Sequence, residues 1–304
     1  MRLIYQGTDI SDYVDMHSCV HRDVSGGRCD SIDIEFEHAG NWYAWQPARD
    51  DVIEVEHDGY TTGRLYLNTI LPENGRYRLI ATSLPGSAMR RTWQSFRDMT
   101  LADIMRSCAA QCDMDWALYG LDEGTVYPYI ERQNESCAAF LNRLMRLEGA
   151  VLKCVNGRMA GIGIGYAQEI EAMQEITISA EQDAAQYRRL DGMKYGALTI
   201  RTPFAEATAR DSAASGEQQI LTCYPARDIM QAGRWARGLL LENNRRAEQL
   251  TLTTELNIGM TAMARIDISG STDASGDWLV DEAEHDFINE RTTARLLRCI
   301  STIQ

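Results

Sequence analysis

His17, Cys19 and His21, with Cys29 downstream, form the best metal candidate in the chain: four soft or borderline ligands within short reach. Alternate residues of a strand point the same way, so His17, Cys19 and His21 would share one face. Their spacing matches no zinc motif, and the expected reading is satisfied side chains on a β edge, with no metal and no cofactor. A second cluster, Asp281-Glu282-Ala283-Glu284-His285-Asp286, has the residue types for proton transfer. It lies between two expected strands and lacks HExxH spacing, so a solvated strand end or hairpin is expected there. GIGIGY at 161 to 166 misses the GxGxxG pattern of a phosphate loop, and no helix is expected after it. With no GxSxG, P-loop or EF-hand sequence either, the chain is not expected to be an enzyme.

The elements that would position these residues read mostly as strands. Ser31 to Glu37 alternates Ile32, Ile34 and Phe36 with Asp33, Glu35 and Glu37, the period of a strand with one wet face. Strands are expected at Val52 to Glu56, Arg64 to Ile70 and Arg76 to Thr82, with turns at His57-Asp58-Gly59 and Pro72-Glu73-Asn74-Gly75. Strands this close, with no helix between them, favour an antiparallel sheet or small barrel over residues 1 to 84.

From Leu84-Pro85-Gly86 the texture becomes mixed α/β, to about residue 172. Thr100 and Asp103 open a helix whose buried stripe includes Cys108 and Cys112, so both are read as core thiols. Asn134 and Ser136 are alternative N-caps for a second helix, with Cys137, Phe140, Leu141, Leu144 and Met145 on one face and Gly149 as its C′ residue. Ala150 to Val155 and Arg158 to Ile162 then form a hairpin around Asn156-Gly157, the dipeptide a type I′ turn demands. This αββ module holds no nucleophile, base or metal cluster, which points to scaffolding.

Strands resume at Glu175 to Ser179 and Ala197 to Arg201, and Thr208 to Gln218 reads as a mobile loop. A helix from N1 Pro225 to about Arg246, weakened by Gly233 and Gly238, precedes strands at Gln249 to Leu256, Ala262 to Ser269, Asp277 to Asp281 and Thr293 to Ser301. Residues 173 to 304 thus form a second β unit with one helix. The expected fold class is α+β, predominantly β: two small antiparallel β units around an inserted α/β module.

Composition narrows function further. With 44% hydrophobic and 24% charged residues the chain is globular. A net charge of −14 argues against a dedicated nucleic-acid binder, and sequence-specific nucleic-acid recognition is not expected. The eight scattered cysteines read as reduced thiols, and lysine occurs only at 153 and 194. No run of about 18 apolar residues and no leader-like N-terminus is present, so no membrane insertion and a soluble, cytoplasmic start are expected.

The order of elements resembles the phage late control D family, the central baseplate hubs of contractile tails. The resemblance is carried by DISDYV (9 to 14), CDSIDIEF (29 to 36), WQPARDDVIEV (45 to 55), GRLYL (63 to 67), YRLIATS (77 to 83) and TLADIM (100 to 105). QNESCAAFLNRLMRLEGA (133 to 150), GMTAMARIDISG, DWLVDEAEHDF with Trp278 and His285, and TTARLLRC continue it to the end of the chain. It implies tail-tube-like β-barrels, two per subunit, in a homotrimer whose six similar barrels adapt a six-fold tail tube to a three-fold central spike. It also implies a DNA-conducting channel, and as partners the spike protein, the tube protein, other baseplate proteins and the tape measure protein. The location implied is the virion tail baseplate, assembled in the host bacterial cytoplasm. Two alternatives stay open: a hub of a bacterial contractile injection or secretion system, and a tail-associated peptidoglycan hydrolase using Glu282, Glu284 or His285.

Overall fold

The computed structural model describes residues 1–73, 75–178 and 184–303. Expected features at Asn74 and Ser179 lie outside the described residues. One 14-stranded sheet runs through both ends of the chain. Its N-terminal part contains the strands Arg2–Tyr5, Met16–Val24, Ser31–Phe36, Val52–His57, Leu65–Glu73 and Arg76–Thr82. Its C-terminal part contains Ala184–Arg189, Glu248–Glu255, Arg265–Ser269, Gly276–Asp286 and Arg291–Arg298. The seam is the antiparallel pairing of Met16–Val24 with Gly276–Asp286, in which His21 faces His285 and Arg22 faces Glu284.

Each part buries its own core. Leu3, Ile32, Ile34, Phe36, Trp42, Val55, Leu67 and Leu79 fill the first. Leu250, Leu252, Ile266, Ile268, Trp278, Val280 and Leu296 fill the second. Period-two alternation explains most of both, as in Ser31–Phe36, whereas Trp278 to Asp281 are buried on both faces of their strand.

Five α-helices lie among the described residues: α1 (Gly40–Trp45), α2 (Leu101–Ala110), α3 (Cys137–Leu147), α4 (Ile164–Glu169) and α5 (Ile229–Arg245). Helix α2 starts at Thr100, whose hydroxyl accepts from the Asp103 N–H, and α3 starts at Ser136, whose hydroxyl accepts from the Ala139 N–H. Asn134 is not a cap. It sits at φ 52° where the long Thr92–Thr100 and Val126–Glu135 pair slips register. Asn156 and Gly157, both at positive φ, close the Ala150–Val155 and Arg158–Gly163 hairpin as a type I′ turn requires.

Helices α2, α3 and α5 share a single core with the strands Ala150–Val155 and Ala197–Arg201. Phe140 stacks on Phe96 within it, ring centroids 5.3 Å apart. Helix α5 crosses the end of α3 so closely that a Cβ at Gly238 would lie 2.3 Å from the Leu147 carbonyl oxygen. The glycine that weakens α5 as an isolated helix is therefore what lets it dock, and Gly149, at φ 68°, meets it from the other side.

Three local expectations need correction. Helix α5 begins at Ile229 under an Asp228 cap, not at Pro225. Thr208 to Gln218 is not a free loop: Glu206–Arg210 pairs antiparallel and Gln218–Leu221 parallel with Ala197–Arg201. A helix does open inside GIGIGY, at Ile164, because Ile164 and Ala167 have an apolar face to bury beside Val151, Met263 and Leu279.

Candidate functional site

The apolar run AVLKCV carries one charge, Lys153, on a strand whose Ala150, Leu152 and Cys154 pack in the helical core. The ammonium reaches across to the N-terminal β part. It donates to Asp23 Oδ1, to both carboxylate oxygens of Asp30 at 2.7 Å, and to the Val24 carbonyl at 3.1 Å. Asp23 Oδ2 accepts from the Ala262 N–H of the C-terminal part at 2.8 Å. One buried ionic cluster thus ties together the N-terminal strands, the αββ module and the C-terminal strands.

Its electrostatics follow from burial and charge together. Burial opposes the Lys153 charge, but Asp23 and Asp30 outweigh it and hold the ammonium pKa above its ordinary value. Burial also pushes the Asp30 carboxyl up to about 6, because one ammonium cannot fully compensate two carboxylates. For Asp23 burial is again the largest influence, yet Lys153 and His21 overcome it and the pKa falls.

Two further joints flank this one. Asp281, buried, accepts from the Ser25 hydroxyl at 2.7 Å and from Arg295 at 2.7 Å, with the buried Arg245 of α5 at 3.9 Å. Glu148, at the end of α3, accepts from the Tyr127 hydroxyl at 2.7 Å, the Trp235 indole N–H at 2.8 Å and Arg234 Nε at 3.0 Å. The carboxylates of Asp281 and Glu148, 6% and 5% exposed, each accept from several donors and so fix geometry.

The expected site residues are distributed around these joints. His17, Cys19, His21 and Cys29 do not converge. His17 occupies a bulge, where the register slips between Met16 and Ser18, and turns outward to Glu37 at 3.2 Å. Cys19 is buried in the N-terminal core, while Cys29 packs against the helical core. Among the described residues no group of three or more His, Cys, Asp or Glu is placed to hold a metal ion. His21 instead takes a hydrogen bond with the Tyr60 hydroxyl at 2.9 Å and stacks on His285, ring centroids 6.4 Å apart.

The acidic cluster forms the C-terminal half of the strand Gly276–Asp286, one arm of a hairpin with Arg291–Arg298, but it is not simply solvated: Glu282 to Asp286 pair on both sides, Asp281 sits where the register slips, and Asp281 and His285 are buried. On the wet face Glu282 meets Arg28 and Arg295, and Glu284 meets Arg22. His285 Nδ1 lies 3.0 Å from the Thr292 hydroxyl, and Trp278 donates its indole N–H to the Ala274 carbonyl at 2.8 Å beneath the Arg298 guanidinium. Both are therefore core fixtures. Sequence reasoning missed Lys153, Asp23, Asp30 and Glu148; the lone lysine of AVLKCV was the available signal.

No curated protein sequence matches the chain. Solved structures do match in fold. The 43 kDa tail protein of prophage MuSo2 from Shewanella oneidensis is 13% identical, with a TM-score of 0.75 and 98% of both chains covered. A tail protein from Neisseria meningitidis is 11% identical, with a TM-score of 0.77 over 98% of this chain and 95% of that one. An E. coli component of the type VI secretion system, described as similar in structure to the T4 bacteriophage tail proteins gp27 and gp5, is 12% identical. Its TM-score is 0.63, over 99% of this chain and 78% of that one. A family model described as phage tail baseplate hub (GPD) matches residues 73–291, which takes in the αββ module, α5 and most of the C-terminal strands. The chain belongs to the phage tail baseplate hub (GPD) family.

Proposed function

We propose that this chain is the central hub of a contractile tail baseplate. Three copies form a ring, and the two β parts of each copy act as similar barrel units. Six such units present six edges to the tail tube, while the three-fold axis receives the spike. The observation that supports this reading best is the pair of separate β cores joined in one continuous sheet within a baseplate hub family member. The αββ module braces the two parts through Lys153, and Glu148 locks α5 onto the module.

The role is structural, with no catalytic step, and the partners are the spike, the tube, neighbouring baseplate proteins and the tape measure protein. Assembly takes place in the host cytoplasm and the finished location is the virion tail baseplate. Part of the net charge of −14 lines the bore, where it repels phosphate and lets DNA pass without adhering. A second reading, hub of a bacterial contractile secretion device, is favoured by the fold shared with the type VI secretion component.

The test is the native mass of the full chain, alone and co-expressed with the spike protein encoded beside it. A species of three times 34.2 kDa, alone or only with the spike, is expected. A chain that stays monomeric in both samples contradicts the ring.

A further inference from the structure

The strands Thr92–Thr100 and Val126–Glu135 pair only with each other among the described residues, so they make a two-stranded ribbon. Phe96 and Ile130 turn one face of it into the helical core, and the other face stays open from Trp93 to Tyr129. Cross-strand register sets Trp93 beside Gln133 and Arg97 beside Tyr129 on that open face. Trp93 is 73% exposed, although its ring is among the side chains that gain most from burial. The Arg227 guanidinium lies 5.3 Å over the Tyr129 ring and 4.9 Å over the Phe204 ring, and Phe204 is itself 62% exposed.

The charge of this face runs against that of the chain. Arg90, Arg91, Arg97 and Arg227 are exposed, and none forms an ion pair among the described residues, in a protein of net charge −14. The carboxylates nearby are Asp98 and Glu131, the latter held by the Tyr129 hydroxyl at 2.7 Å and by the Gln133 amide. Exposed rings beside uncompensated guanidinium groups have the composition of an interface core, where Trp, Tyr and Arg carry most of the binding energy. Such a face is complementary to carboxylates mixed with apolar side chains.

The same chain offers that surface elsewhere. Between the end of α4 and the strand Gln174–Thr177, Glu169, Glu171 and Glu175 are exposed and form no ion pair among the described residues. Ile170 and Met173, between them, are 43% and 61% exposed. Asp267 lies in register beside Glu175 and extends the negative strip. Gln174–Thr177 is also an edge strand, paired only with Arg265–Ser269 among the described residues. Within one copy no ion pair joins the acidic segment to the ribbon.

We propose that the ribbon face of one copy docks head to tail on the acidic segment 169–175 of a second copy. This rests on the ring reading above and names the contact that closes the ring. Two different patches, each used once per copy, make the heterologous contact that a closed ring requires, whereas a self-complementary patch stops at a dimer. Trp93 and Phe204 cover Ile170 and Met173, and the arginines meet Glu169, Glu171 and Glu175.

The experiment measures the native mass of the full chain by analytical ultracentrifugation at about 0.1 M salt, where surface charges still act. Each sample is run alone and co-expressed with the spike protein. The chains compared are wild type, Arg91→Glu with Arg97→Glu, Glu171→Arg with Glu175→Arg, and all four substitutions together. Circular dichroism checks that each is folded. Each double variant sets like charges against each other and is expected to weaken assembly by about a hundredfold, and the fourfold variant, which exchanges the charges, to restore it. Trp93→Ala should weaken assembly by about thirtyfold, in high salt as well. If a double variant unfolds, Trp93→Ala and Met173→Ser carry the same test. A wild-type ring that persists in both double variants overturns this contact and leaves the ring reading standing. A wild-type chain that is monomeric in both samples overturns both. Assembly lost with the arginine variant and kept with the glutamate variant means that other carboxylates occupy the ribbon, and overturns the proposal too.

Discussion

Replacing Lys153 by Met removes one ammonium and leaves its cavity filled by an unbranched chain of similar length. The cost falls on what remains. Asp23 and Asp30, whose side chains are 7% and 4% exposed, lose the donor shared by three of their four oxygens, and the Val24 carbonyl loses its Lys153 contact. Breaking a buried pair from one side typically costs about 3–5 kcal/mol, because the other charge stays buried. Here two carboxylates are stranded, so the upper part of that range is expected, on the order of 10 °C in the thermal midpoint. The loss should shrink toward pH 5, as protonation of Asp30 and Asp23 removes the stranded charge.

Neutralising the cluster completely, with Lys153→Met, Asp23→Asn and Asp30→Asn together, should recover most of the loss. Circular dichroism and tryptophan fluorescence during urea unfolding at pH 8 and pH 5 measure this. Hydrogen exchange at the Ala262 amide, bonded to Asp23, reports whether the C-terminal part detaches locally. A Lys153→Met variant as stable as wild type at pH 8, or a loss that persists unchanged at pH 5, refutes the reasoning.

Other perturbations probe other joints. Gly238→Ala should destabilise by about 1–3 kcal/mol, since the new methyl meets the Leu147 carbonyl and the Gly149 nitrogen and α5 must shift, which denaturant titration would detect. Glu148→Leu leaves the donors of Tyr127, Trp235 and Arg234 without their carboxylate and should cost about 3 kcal/mol, read by the same titration. Burial depresses His21 to about 3 and lowers His285 below its ordinary value. The unfolded chain therefore takes up protons below about pH 6.5 that the folded chain refuses, so this contribution to stability is lost as pH falls from about 6.5 toward 3. His21→Phe should flatten that acid limb in a stability profile against pH. Asp30, raised to about 6, works in the opposite sense between about pH 4 and pH 6, losing stability as pH rises, and Asp30→Asn should remove that component.

Local grammar in the sequence identified what local physics controls. Thr100, Ser136, Gly149 and Asn156-Gly157 each satisfy backbone geometry within a few residues, and helices α2 and α3 and the hairpin sit where those residues put them. The alternation in Ser31–Phe36 was equally legible. Met16–Val24 was legible as a strand but was read as a β edge: it is paired on both sides, and the bulge at His17 takes that residue off the face shared by Cys19 and His21. Gly238 was misleading for the opposite reason, since its value lies in a contact with α3, far away in sequence. The joints were least legible. Charged residues read as surface by default, and only folding brings Asp23, Asp30, Lys153 and the Ala262 amide to one point. The resemblance in element order reached the family, because it depends on the arrangement of elements more than on any one residue.

The central claim is that this chain adapts a six-fold tube to a three-fold spike, and imaging tests it most directly. Electron microscopy of tails assembled with the chain, averaged end-on at the junction of tube and spike, should show a three-fold ring with six similar lobes around an open channel. Density for the chain at another level of the tail, or a ring without three-fold symmetry at that junction, would contradict the account.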